Sequence, residues 1–366
     1  MKYLVVLLLL WPSLAAAQST SPPVSPPGDG TAKADDKCIF TAMGYGAFPM
    51  EPDDGGHMAI RVPIGDKQRL MIVDTGGAFS MVSSAVARDL DLTPVASDQA
   101  RQIDVQGHIT SSFVTVPTIT MGRARFRNAR FVIAPDDDPL VLRGKVDGLL
   151  GPDVLGNFDV DLDFQHSEVH LFDQNHCPGK IPYWAPMYAS TPFVLDDNGH
   201  ILVDMTLDGK PVTVGVDTGA PTSVMSLPAA QRLFGLGPES PGVEPAGSVG
   251  DSNDPSQKVY RHRFVSLVVG GLEVKNPMIA LMPDNFMDVS HGRVHLPDVI
   301  LGLKQIASLH LYIAYKEKAL YFTAVGAEYP GAEEAREELQ QAIAKSRATG
   351  KPVTLDSGLA VEAPKP

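Results

Sequence analysis

Two short stretches of this chain place a carboxylate, a hydroxyl and a glycine at the end of an apolar run: Ile72-Val73-Asp74-Thr75-Gly76 and Gly215-Val216-Asp217-Thr218-Gly219. A carboxylate there is costly to desolvate, and folding alone rarely requires it twice. Two carboxylates a few ångströms apart cannot both ionise cheaply, so they share one proton, and one serves as base while the other serves as acid. Such a pair titrates as a unit. It can take a proton from a water held between its members and give one to a carbonyl, with no metal, cofactor or covalent intermediate required. Glycine at 76 and 219 keeps each turn tight and lets a backbone N–H approach the carboxylate.

The elements that must position these turns are short strands. Met58, Ile60, Val62 and Ile64 alternate with Ala59, Arg61 and Pro63, turn at Gly65-Asp66, and return through Leu70, Ile72 and Val73 to Asp74. That pattern predicts a hairpin ending in the motif. Ser83 as a cap, with Val86 and Leu90 at helical spacing, predicts one short helix over residues 83–90. Further strands are expected at Gln102–Gln106, Phe113–Met121, Phe126–Ala134 and, with a turn at Gln165–Ser167, Phe158–Phe172. Pro178 to Pro192 reads as a proline-rich connector.

Beyond the connector the chain repeats itself. His200 lies 17 residues before Asp217 as His57 lies 17 before Asp74, and the same offset relates Ser80 to Ser223, Ser83 to Ser226 and Leu90 to Leu233. Gly122 to Asn128 matches Gly270 to Asn276, and Gly151 to Phe164 matches Gly302 to Tyr315. This is an internal duplication, which can bring one patch from each half to a shared axis as a symmetric dimer does.

Composition bounds the rest. The 366 residues, 44% hydrophobic, suffice for two cores. A formal charge of -13, with lysine and arginine scattered, argues against a nucleic-acid partner. Residues 1–17 read as a secretory signal: Lys2, an apolar run Val5–Trp11 too short to span a bilayer, and Ala15-Ala16-Ala17 as cleavage site. No later run has membrane length, so the expected product is exported, periplasmic or secreted. Residues 18–45 are a Ser/Pro-rich leader expected to be disordered. Cys38 and Cys177 are the only two cysteines. In an oxidising compartment they are expected to pair, with two unpaired thiols as the alternative; a bridge closing so long a loop contributes about 4–5 kcal/mol on the chain-entropy account.

The repeated set resembles the retroviral-type (retropepsin-like) aspartic peptidases, in the bacterial secreted form with two tandem Asp-Thr-Gly domains. The resemblance covers residues 46–325 and rests on three features of each half. These are the Asp-Thr-Gly turn, a serine six beyond the aspartate (Ser80, Ser223), and an apolar-apolar-Gly element, Leu149-Leu150-Gly151 and Ile300-Leu301-Gly302. It implies an all-β fold of two closed barrel lobes, residues 46–178 and 193–325 about a linker at 179–192, with a helical then disordered tail over 326–366. It implies an aspartic endopeptidase with Asp74 and Asp217 catalytic, Thr75 and Thr218 interlocking, and an extended peptide or protein substrate under flaps. The flap candidates are Gly107, in Val105-Gln106-Gly107-His108, and Gly247 with Gly250. A monomer is compatible with the covalent duplication. The alternatives are a peptide-binding protein on degenerate domains, or pairing of each motif with the same repeat of another chain.

The chain departs from the family pattern in two places, at Gly77 and in the flap. Gly77 makes the first turn looser than the usual Asp-Thr-Gly-Ala, and Gly77 and Ala220 stand where the pepsin-like branch usually has a hydroxyl. Each ionised carboxylate then has one donor fewer, and the expected working pH lies nearer neutral than strongly acidic. No tyrosine lies between Asp74 and Pro182 to form a pepsin-like flap. No metal site is expected: His166, Glu168 and His170 read as the solvated exterior of a hairpin, His291 and His295 lack nearby ligands, Asp159, Asp161 and Asp163 alternate as a strand, and Asp136-Asp137-Asp138 reads as a loop.

Overall fold

The structure is a computed structural model that describes residues 44–96, 102–103, 109–110, 112–134, 145–175, 184–185, 188–249, 254–283 and 297–326, with 341, 353–354 and 360–361. The signal segment, the leader up to residue 43, both cysteines, Gly107, Gly250, Asp136 to Asp138, His291 and His295 lie outside the described residues. Gly44 and Tyr45, the end of the leader expected to be disordered, open the strand Gly44–Pro49. So does nearly all of the expected tail helix.

The fold is mostly β. In the first lobe the hairpin Met58–Ile64 and Lys67–Val73 continues through Gly148–Leu150, Met81–Ser83, Ala124–Ala134 and Ser112–Met121, and Ile64 pairs with Ile119 to close the ring. The alternation seen in sequence is the cause. Ile60, Val62, Ile64, Met71 and Val73 turn inward with no accessible surface and meet Val114, Val116, Ile119 and Phe131. Burying each such side chain is worth roughly 1.5–3 kcal/mol. The expected short helix runs Ser84–Asp89, with Ser83 Oγ accepting from the Val86 N–H at 3.2 Å.

The second lobe repeats this path with one interruption. The long pair of strands that closes the first lobe is cut into Lys258–Arg263 and Ser266–Val269 on one side and Leu272–Lys275 and Met278–Met282 on the other. Pro277, which has no N–H to give a ladder, stands at the break where the first lobe has Ala129. Thr206 and Leu207 still pair with Val268 and Leu267, and across the break the Phe264 N–H donates to Pro277 O at 3.0 Å and the Asn276 N–H to Val265 O at 2.9 Å.

A third sheet joins the lobes, which the sequence reading did not anticipate. It has six strands in the order Gly44–Pro49, Glu168–Phe172, Asp159–Asp163, Leu309–Ala314, Ala319–Ala324 and Ala189–Pro192, three from each repeat. At its centre Val160 pairs with Ile313 and Leu162 with Leu311. Two earlier expectations change with it. The end of the connector, Ala189–Pro192, is an edge strand, and the supposed hairpin exterior is largely covered.

The covered face carries charge. Asp159, Asp161 and Asp163 are fully buried. Asp161 lies 2.7 Å from His310 Nε2 and 3.0 Å from His170 Nδ1, and Trp184 stacks on His310 at 4.0 Å. Burial opposes ionisation of Asp161, but the two imidazoles outweigh it and hold its carboxyl below the usual range. Burial likewise opposes charging of His170, and Asp161 with Glu168 overcomes it, raising His170 to about 9. At the far end of the chain Val353–Thr354 pairs with Ala360–Val361, where a structureless tail was expected.

Candidate active site

Each aspartate sits at the end of a central strand. Lys67–Val73 lies parallel to Gly148–Leu150, and the Asp74 N–H donates to Leu150 O at 3.0 Å. Lys210–Val216 lies parallel to Val299–Leu301, and the Asp217 N–H donates to Leu301 O at 3.0 Å. The apolar-apolar-Gly elements are thus the floor on which both turns rest.

The serines fix that floor to the turns. Ser80 Oγ accepts from the Gly151 N–H at 2.9 Å and donates to Asp153 Oδ1 at 2.6 Å. Ser223 Oγ accepts from the Gly302 N–H at 2.9 Å and donates to Gln305 Oε1 at 2.6 Å. Asp153 and Gln305 were not singled out in the sequence. They stand two and three residues past their glycines, so strict alignment of the repeats hides their common role.

The two threonines lock the turns to each other. The Thr75 N–H donates to Thr218 Oγ1 and the Thr218 N–H to Thr75 Oγ1, both at 3.1 Å. Thr75 Oγ1 donates to Val216 O at 2.8 Å, and Thr218 Oγ1 to Val73 O at 2.6 Å. Both threonines are fully buried. The N–H and hydroxyl of each threonine are therefore satisfied by the opposite lobe.

On this base the carboxyl groups meet. Asp74 Oδ1 accepts from the N–H groups of Gly76 and Gly77 at 2.8 and 2.9 Å. Asp217 Oδ1 accepts from Gly219 and Ala220 at 2.8 and 3.0 Å. A Cβ at Gly76 would stand 2.1 Å from Asp217 Cγ, and one at Gly219 would stand 2.3 Å from Asp74 Oδ1. Each glycine is thus the gap into which the other lobe's carboxylate fits. The two carboxyl groups lie close enough to share a hydrogen bond.

Electrostatics splits the pair. Burial and then the neighbouring Asp74 charge push Asp217 up to about 8. Asp74 is also raised by burial, but its two backbone N–H donors, the bond to Asp217 and the field of His200 oppose the rise. One proton on two unequal carboxyls is the arrangement that supplies an acid and a base side by side.

His200 belongs to a second repeated feature that sequence reading noticed only as a spacing. Asp196 Oδ1 accepts the N–H groups of Asn198 and His200 at 2.8 and 2.9 Å, and Asp196 Oδ2 lies 2.8 Å from His200 Nδ1. Asp53 does the same for Gly55 and His57, with His57 Nδ1 at 2.7 Å. The signal was present as Asp53-Asp54-Gly55-Gly56-His57 and Asp196-Asp197-Asn198-Gly199-His200. Both turns cross to the opposite lobe: a Cβ on Gly56 would lie 3.8 Å from Pro221, and one on Gly199 3.1 Å from Pro152. His200 Nε2 is buried with no hydrogen-bond partner among the described residues.

The flap candidates differ in what surrounds them. Gln102 pairs with Thr110 and Ile103 with Ile109 on either side of Gly107. Gly247 lies in the strand Val243–Ser248, at a bulge opposite Val259, with φ of 110°. Glycine is the residue that accepts such a backbone angle.

The sequence profile of the family described as aspartyl protease matches residues 60–154 and again 203–304, together more than half the chain. The chain belongs to the aspartyl protease family. It carries the family's domain twice, in tandem, and each copy holds one of the two Asp-Thr-Gly turns. Solved structures similar to this aspartyl protease family member include the basic 7S globulin from soybean, at 12% identity and TM-score 0.43, covering 78% of this chain and 96% of that one. A retropepsin-like aspartic protease from Rickettsia conorii matches at 17% identity and TM-score 0.28, covering 37% of this chain and 91% of that one. No match was found among curated proteins.

Proposed function

We propose that this protein is an aspartic endopeptidase that hydrolyses peptide bonds with a water activated between Asp74 and Asp217. The observation that carries this reading is the mutual insertion of the carboxyls, each fitted into the gap at the other lobe's glycine, with one oxygen of each held by two backbone N–H groups. In the resting site Asp217 keeps the shared proton and Asp74 is ionised. Asp74 takes a proton from the water, the hydroxide attacks the peptide carbonyl carbon, and Asp217 protonates the carbonyl oxygen. Collapse of the tetrahedral intermediate returns a proton to the leaving nitrogen and breaks the C–N bond. The substrate is an extended peptide lying across the cleft beneath the flap hairpins. Export to the periplasm or medium is proposed on the signal segment alone.

The test is an assay of the protein on mixed peptides, comparing wild type with Asp74→Asn and Asp217→Asn. Either substitution is expected to lower kcat by at least about a thousandfold while the fold is retained. A wild type that binds peptides and cuts none across the accessible pH range would overturn the reading. So would a single substitution that leaves cutting intact.

A further inference from the structure

Away from the dyad, the side of the second lobe holds a cup of about 570 Å³. Its floor includes Pro277, Met278 and Gln305, and four cations line it: Arg261, Arg263, Lys275 and Lys304. Glu244 is the one carboxylate in the lining, and Arg261 Nε donates to it at 3.0 Å. Arg263, Lys275 and Lys304 have no carboxylate partner among the described residues. In a chain of net charge -13 such a concentration of positive charge is against the average.

The duplication supplies a control. Arg261 faces Ala280 across its ladder as Phe113 faces Val132, so Phe113 and Thr115 stand in the first lobe where Arg261 and Arg263 stand in the second. Lys304 is two residues past Gly302, and its counterpart two past Gly151 is Asp153. Of the four cations only Lys275 has a cationic counterpart, Arg127, and Met278 stands where the first lobe has Arg130. The first lobe is built with no charge at Phe113 and Thr115 and with the opposite charge at Asp153, so the surplus of positive charge on the second lobe calls for an anionic partner.

The chain brings such a partner to the spot. The Val325 N–H donates to Ser308 O at 2.9 Å, and Ser308 lines the cup. The segment after residue 326 therefore sets out from the rim. It contains Glu328, Glu333, Glu334, Glu337 and Glu338, with Arg336 the only cation before Lys345. Fully extended, the eight steps from Val325 to Glu333 reach at most about 28 Å, and the three steps to Glu328 at most about 10 Å.

We propose that the glutamate-rich segment of residues 328–338 docks on the cationic cup of the second lobe. Exposed ion pairs are individually weak, so a free acidic peptide would bind weakly. A tethered one has an effective concentration on the order of millimolar, which is enough to hold weak contacts together. Gln305 forms part of the cup and also holds Ser223 beneath the Asp217 turn, so the docked segment lies next to a support of the active site. The proposal stands whether or not the dyad cuts peptides.

The experiment is zero-length carbodiimide cross-linking of the full chain, mapped by mass spectrometry. Lys275 and Lys304 are expected to join glutamates of residues 328–338 at low salt, with yields falling about fivefold or more at high salt as the charges are screened. Arg261→Ser with Arg263→Ser leaves both lysines free to react, yet is expected to cut the same yields by a similar factor. Melting curves confirm that this variant is folded. Yields insensitive to both salt and the arginines, or cross-links from the segment only to lysines elsewhere, would overturn the proposal. So would protection of Lys304 by inorganic phosphate matching that given by the intact segment in a chain whose four glutamates 333, 334, 337 and 338 are glutamine, since the cup would then be a general anion site.

Discussion

The two lobes carry one design at the turn and different chemistry a few residues away. Asp74 and Asp217, and Thr75 and Thr218, match atom for atom in what they bond, and Ser80 and Ser223 each accept from the glycine N–H of their own floor. Beneath them Asp153 stands on one side and Gln305 on the other. Across the shared sheet the divergence is greater. Asp159, Asp161 and Asp163 occupy the places that His310, Tyr312 and Ala314 occupy in the second repeat. The carboxylates of one repeat are answered by the imidazole and phenol of the other: His310 Nε2 meets Asp161 at 2.7 Å, and the Tyr312 hydroxyl donates to Asp159 at 3.3 Å. The turn stays symmetric because each half must satisfy the other half's backbone. The joining sheet became asymmetric because a buried acid is best met by something other than a second acid.

That difference sets the largest expected effect on stability. Asp161→Ala removes the shared partner of His310 and His170 and leaves buried nitrogens unpaired, and it is expected to cost about 3–5 kcal/mol in chemical denaturation. Asp161→Asn, which can still accept hydrogen bonds, should cost less. Equal, small losses from both would mean that water reaches this face and the asymmetry carries no weight.

The threonine crossing predicts the opposite, an equality. Thr75→Val and Thr218→Val each strand a buried N–H and a buried carbonyl of the other lobe. Each is expected to cost about 1–3 kcal/mol and to do so to the same extent. A marked inequality would show that one lobe alone carries the turn.

The turn was legible in sequence because its residues are bound by local spacing: Asp74, Thr75, Gly76, Ser80 and Leu149-Leu150-Gly151 recur in order in the second half. The closed first lobe was legible for the same reason, since alternation in Met58–Ile64 names its inner face. The joining sheet was not. Asp-Val-Asp-Leu-Asp reads as one apolar and one solvated face, and only the meeting with His310 and Tyr312, some 150 residues away, buries the second. Asp153 and Gln305 escaped because they reach equivalent serines from positions one residue out of register. Asp53 and Asp196 could have been found, since each opens a repeated turn ending in glycine and histidine.

A smaller effect, on pH dependence, separates the dyad from the joining sheet. Asp217, raised to about 8, holds a proton in the folded chain that the unfolded chain has lost. Its contribution to stability is present below the ordinary carboxylate range and is lost as pH rises through about 8. His170, raised to about 9, acts in the same direction but only from about 6.5 upward. Between pH 4 and 6.5 the slope therefore belongs to the dyad together with Asp153, whose carboxyl burial also raises. Asp217→Asn is expected to flatten it, by on the order of 1–3 kcal/mol over the range, whereas a slope unchanged in that variant would remove the dyad as its source. Peptide cutting should fall as pH passes about 8, when the shared proton leaves.

The smallest effect tests where the two turns differ. The Gly77 N–H and the Ala220 N–H make the same bond to their aspartates, so glycine at 77 has not loosened the turn. A Cβ at 77 would nevertheless lie 2.7 Å from Asp74 Oδ2 and 3.4 Å from Leu149 Cδ1. Alanine there must push the outer oxygen of Asp74, the one left to face a water, while it restricts the unfolded chain. Gly77→Ala is expected to leave stability within about 1 kcal/mol and to lower kcat a few-fold. Ala220→Gly should do the reverse, losing about 0.4–1 kcal/mol of stability with kcat unchanged. If both substitutions change stability and neither changes kcat, the two carboxylates stand equally free and the asymmetry at this position is one of backbone entropy alone.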